Sequence, residues 1–261
     1  MNMPVPGASL VAALRPGIMR PNWSMITLSG ARRTLQRRLE AQPDGVTRWS
    51  GLDPDHDHVW QAILSLFRDH GGAPDATAVA QAAGRSREET QRALQALQAR
   101  DLVVLDAADA AVVAAYPFAG DRTGHQVTFG RRTVNALCAI DALGVGAMCG
   151  VDTVITSSCA WCQTPIHVET RDHGLAVRSV TPADAVVLYT LMFDGRAAQS
   201  CCPSTVFLCS DAHLDRCANA GHSPSPGDRL TMAEAFEIGA ALFGPLLRKH
   251  SWPNAHHRRS V

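Results

Sequence analysis

The chain has 261 residues, of which 46% are hydrophobic and 18% charged, a composition that supports a sizeable core and excludes wholesale disorder. Lysine plus arginine and aspartate plus glutamate both number 24, so bulk charge does not favour binding to nucleic acid or an anionic membrane. No apolar run is long enough for a transmembrane helix, and the N-terminus lacks the pattern of a secretory signal. We therefore expect a cytoplasmic protein without a membrane partner.

Residues 1–54 are predicted to form a loosely attached, partly helical extension. Prolines interrupt its first part, a basic helical segment follows at 31–41, and the Pro-Asp-Gly sequence at 43–45 indicates a turn. The arginines of the helical segment favour a solvated helix face over a binding patch. They are Arg32, Arg33, Arg37 and Arg38.

Residues 55–118 are predicted to form a winged-helix-like domain. Three stretches with helical spacing follow one another, and Ser86 with Glu89 supplies a capping box for the third helix. Two β-like runs come next, at 102–105 and 111–116, and three helices followed by a hairpin are typical of a winged helix. Acidic and basic residues are mixed on the third helix, whereas DNA readers usually show a one-sided basic stripe. A structural or substrate-covering role is favoured, and nucleic acid is not an expected partner.

Residues 119–250 are predicted to form a mixed α/β domain with short strands, followed by a flexible tail at 251–261. The whole chain is therefore assigned to the α+β class. An apolar helix is expected over 132–148, and Thr231 can cap a final helix. Strands are expected at 125–129, 153–157, 165–169, 185–192 and 201–208.

Eight cysteines, all in the C-terminal half, are the most informative feature of the composition. They lie at positions 138, 149, 159, 162, 201, 202, 209 and 217. Disulfide frameworks are expected in short exported chains, so this pattern favours a reducing compartment in which free thiols act as ligands or nucleophiles.

Cys138 and Asp141 form the first candidate site. On a helix their spacing brings a thiol and a carboxyl group to one face, and the apolar neighbours indicate burial. Burial would raise the pKa of Asp141, so that its carboxyl could hold and deliver a proton near neutral pH. The alternative is a buried cysteine next to an aspartate on the helix surface.

Two further groups of cysteines could bind metal. Adjacent residues of a strand point to opposite faces, so only one of Cys201 and Cys202 should share a pocket with Cys138, where two thiolates would suit a soft metal. The Cys159-x2-Cys162 spacing fits a structural zinc site, provided that a second pair of ligands is available. Cys209, His213 and Cys217 recur every four residues and could supply it; the favoured alternative is that these cysteines are small core hydrophobes.

In order and spacing over 55–247, the chain resembles the organomercurial (alkylmercury) lyases. The combination of Cys-x-x-Asp with a later Cys-Cys pair is the specific part of this resemblance. The matching segments are residues 136–143, Ser157-Ser158-Cys159 followed by Thr164-Pro165, Ser200-Cys201-Cys202 with Phe207, and residues 233–236.

The resemblance implies an enzyme that cleaves carbon–mercury bonds by protonolysis, giving a hydrocarbon and Hg(II), as part of mercury resistance and detoxification. By the same resemblance, Cys138 and Cys201 are the essential thiols and mercury ligands, Asp141 is the proton donor and a possible mercury contact, and Cys159 is structural. Mercury is then substrate and product, and no organic cofactor is implied. The partners would be organomercurial small molecules and, for the released ion, thiols or a mercuric reductase.

Two other functions remain open on the sequence. A winged-helix regulator could sense metal through the same thiols without turnover, and a lyase-like protein could handle another soft metal. A sensor has no need of Asp141 beside Cys138, and a regulator should carry a clearer basic recognition helix. Both considerations favour the enzyme.

Overall fold

The computed structural model describes residues 10–42, 48–190, 193–219 and 227–247. These residues form an α+β fold with antiparallel sheets. The predicted turn at 43–45, the end of the strand predicted at 185–192 and the tail at 251–261 lie outside the described residues. Among the helices that are described, none is long and apolar enough to cross a bilayer.

The N-terminal segment begins with a hairpin of β1 (Ala12–Arg15) and β2 (Ile18–Arg20), which is followed by helix α1 (Ser29–Ala41). Helix α1 starts two positions before the predicted segment, and its buried face carries alanine, threonine and leucine side chains. The basic segment is therefore an amphipathic helix that packs on the protein.

The expectation of loose attachment is wrong for residues 10–42. The side chain of Arg15 is 9% exposed, and its Nη2 lies 2.7 Å from Oδ1 of Asp57, a side chain that is only 3% exposed. The Arg15 Nη1 also donates to the carbonyl oxygen of Pro245 at 3.2 Å. One guanidinium thus joins the N-terminal hairpin to two distant parts of the chain, a link that local sequence patterns cannot reveal.

The three helices and the hairpin predicted for 55–118 are present. They are α2 (Pro54–His70), α3 (Ala76–Ala83), α4 (Arg87–Ala99), β3 (Val103–Leu105) and β4 (Val112–Ala115). The capping box of Ser86 and Glu89 forms in both directions. The winged-helix assignment and the domain boundaries stay predictions. The hairpin continues into the main sheet, because β4 pairs with β5 (Phe118–Ala119), which in turn pairs with β7 (Arg132–Ala136).

The main sheet has eight strands in the order β10-β9-β8-β6-β7-β5-β4-β3, and a second sheet has the order β12-β11-β13. The remaining strands are β6 (Gln126–Phe129), β7 (Arg132–Ala136), β8 (Val154–Ser158), β9 (Pro165–Arg171), β10 (Ala176–Thr181), β11 (Val186–Thr190), β12 (Val206–Leu208) and β13 (Gly227–Thr231). The remaining helices are α5 (Ala139–Cys149), α6 (Asp211–Asn219) and α7 (Met232–Phe243), the last with a capping box at Thr231.

The predicted helix over 132–148 is wrong in its first half, which is strand β7. Adjacent β-branched residues favour a strand there, and Thr133 bonds across the sheet to the hydroxyl of Thr128 at 2.9 Å. The predicted strand over 201–208 is also wrong in its first half. Cys201 has an α-helical conformation, Cys202–Ser204 is a 3-10 turn, and β12 starts only at Val206.

Helices α5 and α7 pack in direct backbone contact at two glycines. A Cβ atom on Gly144 would lie 2.7 Å from the carbonyl oxygen of Gly239, and one on Gly239 would lie 2.9 Å from the nitrogen of Gly144. Larger residues at either position would push the helices apart. Because α5 begins beside Cys138, this contact fixes the position of the first candidate site.

Replacing Arg15 with alanine should lower the free energy of unfolding by about 3–5 kcal/mol, because the Asp57 carboxylate would stay buried without its cation. Chemical denaturation measures this loss. The matched control is Arg37→Ala, which breaks the surface ion pair with Asp228 and should cost less than about 1 kcal/mol. Equal losses in the two variants would contradict the anchoring role of Arg15.

Candidate functional site

Cys138 and Asp141 do lie together, but not on one face of a helix as predicted. Cys138 is the N-cap of α5, with extended backbone angles (φ −153°, ψ 178°), and its sulfur accepts a hydrogen bond from the backbone nitrogen of Asp141 at 3.4 Å. Asp141 is in the first turn and is only 3% exposed. The capping geometry therefore brings the thiol and the carboxyl group to one buried point.

The turn at 201–204 brings both cysteines of the pair to the same cavity, so the alternation argument for Cys201 and Cys202 does not hold. Pro203 lacks a backbone N–H, which disfavours a strand at this point. The Sγ of Cys202 lies 3.6 Å from Oδ2 of Asp141. The ligand atoms of Cys138, Asp141 and Cys202 all lie within 4.8 Å of one another.

Cys201 is held by an arginine that the sequence analysis assigned to solvent. The Nη2 of Arg38 lies 3.0 Å from the Sγ of Cys201, and its Nη1 donates to the carbonyl oxygen of Thr190. The guanidinium also lies over the ring of Tyr189, 4.5 Å from its centroid. The prediction of a solvated face is wrong for Arg38. The sequence could have shown this, because Arg38 lies three positions after the buried Leu35 and therefore on the same side of α1.

The site residues line one cavity of about 100 Å³, which is large enough for a small ligand. Aromatic side chains from several elements form much of the wall, and charged side chains, including Arg48, Arg100 and Asp101, also line it. The lining includes Arg20, Leu35, Arg38, Leu39, Trp49, Trp60, Tyr116, Cys138, Asp141, Tyr189, Phe193, Cys201, Cys202 and Phe243.

Two residues that the sequence analysis missed hold the chain just before Cys201. The backbone nitrogen of Ala197 donates a hydrogen bond to Oδ2 of Asp101 at 3.0 Å. The backbone nitrogen of Ala198 donates one to the hydroxyl oxygen of Tyr116 at 2.7 Å. The same hydroxyl donates to Oδ1 of Asp101 at 3.0 Å. No local pattern marks these residues, because their partners lie far along the chain.

Burial and local contacts give the acidic groups of the cavity different protonation behaviour. Burial raises the pKa of Asp141 to about 7 and that of Cys138 to about 11. A hydrogen bond from Cys202 and the positive charge of Arg38 lower the pKa of Cys201 to about 6, despite burial. The pKa of Cys202 is raised well above its usual value, because hydrogen bonds to Cys138 and Cys201 hold its proton. Near neutral pH the cavity therefore combines a thiolate with a carboxyl group that can carry a proton.

Replacing Arg38 with glutamine should raise the pKa of Cys201 by at least about one unit, because an opposite charge in contact is lost. In this variant alkylation of Cys201 by iodoacetamide should become slower at pH 6–7. Its pH profile can be followed for this residue alone by mass spectrometry. Arg37→Gln, which changes the same charge on the exposed face of α1, is the matched control. An unchanged profile in Arg38→Gln would remove the guanidinium as the cause.

The zinc spacing noted in the sequence also brings residues together in the structure. The ligand atoms of Cys159, Cys162, Cys209 and His213 all lie within 4.8 Å of one another. The predicted helical stripe is only partly present, because Cys209 precedes α6 whereas His213 and Cys217 lie on it. Cys217 is buried and is not a member of this four-residue cluster.

Comparisons with known proteins point to one family. Residues 118–244 match the family model described as alkylmercury lyase. A solved structure described as the mercury-bound form of MerB2 matches with a TM-score of 0.64 and 24% identity, over 84% of this chain and 100% of that chain, a likeness of fold. No curated protein matches the chain. The segment that carries Cys138, Asp141 and the Cys201–Cys202 pair, residues 118–244, therefore belongs to the alkylmercury lyase family.

Proposed function

We propose that the protein is an organomercurial lyase that cleaves the carbon–mercury bond by protonolysis. The observation that carries the proposal is the convergence of Cys138, Asp141 and Cys202 within 4.8 Å, in a segment of this family and beside the Cys201 sulfur. Sulfur is a strong ligand for soft metals, and a carboxyl group near neutral pKa is an efficient proton donor. The site thus supplies both partners that the reaction requires.

The reaction begins when the Cys201 thiolate binds the mercury of R–Hg⁺. Arg38 stabilises this thiolate before the substrate arrives, so the first bond needs no prior proton transfer. Cys138 is protonated at neutral pH and must lose its proton when mercury binds its sulfur, as metal binding to thiols generally requires. The Asp141 carboxylate is the adjacent base that can accept that proton.

The second half of the reaction returns the proton to carbon. Two thiolates that donate into mercury increase the electron density on the bound carbon, and the protonated Asp141 transfers its proton to that carbon. The carbon–mercury bond breaks as the carbon–hydrogen bond forms, so R–Hg⁺ and H⁺ give R–H and Hg²⁺. Mercury enters as substrate and leaves as product, and these protein groups supply the chemistry without an organic cofactor.

The released ion would remain on the Cys138 and Cys201 sulfurs until other thiols remove it. Small thiols or a mercuric reductase are the acceptors in this proposal, and the cytoplasm is its location. The eight cysteines are all free thiols, which fits a reducing compartment.

Headspace analysis tests the function directly. Purified protein with excess small thiol should convert phenylmercury to benzene and methylmercury to methane, whereas Cys138→Ala should release no hydrocarbon above background. Binding of phenylmercury in a one-to-one ratio with no hydrocarbon from the wild type would overturn the proposal. That result would favour the metal-sensing regulator.

Asp141→Asn should separate binding from chemistry. The amide preserves size and leaves the thiols able to bind phenylmercury, but it cannot deliver a proton as a carboxyl group does. General acid catalysis typically contributes ~10²–10⁴-fold, so benzene release should fall by that factor while the binding stoichiometry stays near one. Release and binding should be measured on one preparation. Full-rate release would exclude Asp141 as the donor, and lost binding would make it a ligand or a structural residue.

Cys201→Ala and Cys202→Ala form a matched pair that tests the assignment within the turn. The first variant should abolish turnover, because the ionised sulfur is lost. The second should retain most of it, because Cys202 keeps its proton and is not the ionised ligand, and Arg38 still stabilises the Cys201 thiolate when the hydrogen bond from Cys202 is lost. Equal loss in steady-state benzene release would show that the assignment within the pair is incorrect.

A further inference from the structure

Four side chains of types that bind metal lie close together outside the cavity that holds Cys138. Cys159 and Cys162 lie in the turn between β8 and β9, Cys209 follows β12, and His213 is in the first turn of α6. Their ligand atoms all lie within 4.8 Å of one another, and none of these residues lines the cavity that holds Cys138. The proposed mercury reaction gives them no role.

The spacing of these atoms is close to that of a tetrahedral zinc site. With zinc–sulfur bonds of about 2.3 Å, two sulfurs of a tetrahedron lie about 3.8 Å apart, and a sulfur and a nitrogen about 3.6 Å apart. The Sγ atoms of Cys162 and Cys209 are 3.7 Å apart, and Cys159 Sγ is 3.7 Å from Nδ1 of His213. Cys209 Sγ and the same nitrogen are 3.0 Å apart, a hydrogen-bond distance that would open by about 0.6 Å on metal binding.

Backbone hydrogen bonds hold the first pair of ligands in place. The nitrogen of Cys159 donates to Thr164 at 2.9 Å, and that of Gln163 donates to Cys159 at 2.9 Å. Gln163 has a φ of +62°, so the chain reverses directly after Cys162. The nitrogen of Ala160 donates to Phe207 at 3.0 Å, which attaches this turn to β12.

The second pair is held by the start of α6. The nitrogen of Leu214 donates to the carbonyl oxygen of Ser210 at 3.1 Å, and that of His213 lies 3.4 Å from the Ser210 hydroxyl. These contacts set the position of the imidazole relative to Cys209. Both halves of the cluster are therefore arranged by the fold itself.

The donor set selects a particular class of ion. Three thiols and one imidazole suit zinc, whereas calcium and magnesium require oxygen ligands. The four protein ligands would fill a tetrahedral shell, which is the pattern of structural rather than catalytic zinc. Cys159 is buried and Cys162 is exposed, so an ion could enter from solvent and bind at the protein surface.

We propose that Cys159, Cys162, Cys209 and His213 bind one structural zinc ion. The ion would join the β8–β9 turn to the end of β12. Since β12 begins directly after the turn that carries Cys201 and Cys202, zinc would brace the strand that leads out of the mercury site. The fold brings Cys209 and His213, two of the residues that the sequence offered as a second pair of ligands, to the Cys159-x2-Cys162 pair.

Metal analysis of the reduced protein, produced with zinc in the medium, tests the proposal. We expect about one equivalent of zinc, and X-ray absorption should show three sulfurs at about 2.3 Å and one nitrogen at about 2.0–2.1 Å. Removing the zinc with a chelator should lower the melting temperature of the wild type by at least about 5 °C. Cys209→Ser should contain much less zinc, and its melting temperature should not respond to the chelator.

Cys149→Ser is the matched control, because it removes a half-buried thiol outside the cluster and should keep its zinc. If Cys209→Ser fails to fold, cobalt binding to reduced wild-type protein replaces it and should give the bands of a tetrahedral thiolate complex. Metal-free wild type that takes up neither ion would overturn the proposal. So would a disulfide between Cys162 and Cys209 in freshly purified protein, or equal zinc loss in the control. These assays use no organomercurial, so their outcome is independent of the proposed lyase activity.

Discussion

The burial of the Asp141 carboxyl group is the constraint on which the cavity depends. An ionised carboxylate is costly to bury, so burial raises the pKa of Asp141 and the carboxyl group retains its proton to a higher pH. Burial results from the packing of α5, which is buried along nearly its whole length and lies against α7 at two glycines. The close contact of two helices thus sets the acidity of a side chain at the end of one of them.

Arg38 provides the opposite electrostatic condition in the same cavity. It stabilises the charged form of Cys201, whereas the surroundings of Asp141 stabilise the neutral form. Arg38 can stabilise the Cys201 thiolate only if α1 is held against the core. The ion pair of Arg15 with Asp57 anchors the N-terminal hairpin, which directly precedes α1. The N-terminal segment accordingly forms one wall of the site and supplies the positive charge beside Cys201.

Local signals in the sequence predicted the elements that depend on local interactions. The capping box at Ser86 and the helix cap at Thr231 form as expected, because each involves side chains a few residues apart. The juxtaposition of Cys138 and Asp141 was also predicted, although through a helix face rather than a cap. The first half of the strand predicted at 201–208 was wrong, because Pro203 and the hydrogen bonds of the turn outweigh the β-propensity of the residues that follow.

Contacts between distant parts of the chain were beyond the sequence. The contact of Arg38 with Cys201 spans 163 positions, and the hydrogen bonds that Asp101 and Tyr116 accept from Ala197 and Ala198 span 96 and 82. Hydrophobic periodicity shows which face of α1 is buried, but not what that face meets. The resemblance to the lyases predicted which residues react, whereas the residues that contact and hold them became visible only in three dimensions.

The position of Cys138 as a helix N-cap also bears on the durability of the protein. The thiolate is the form that oxidants attack, so a sulfur whose proton is retained by burial is poorly reactive while no metal is bound. The partial positive charge of the α5 macrodipole at this end of the helix favours the ionised form once a ligand displaces the proton. Burial of the protonated Cys138 sulfur thus protects it from peroxide, whereas the ionised sulfur of Cys201 is the more readily oxidised of the two.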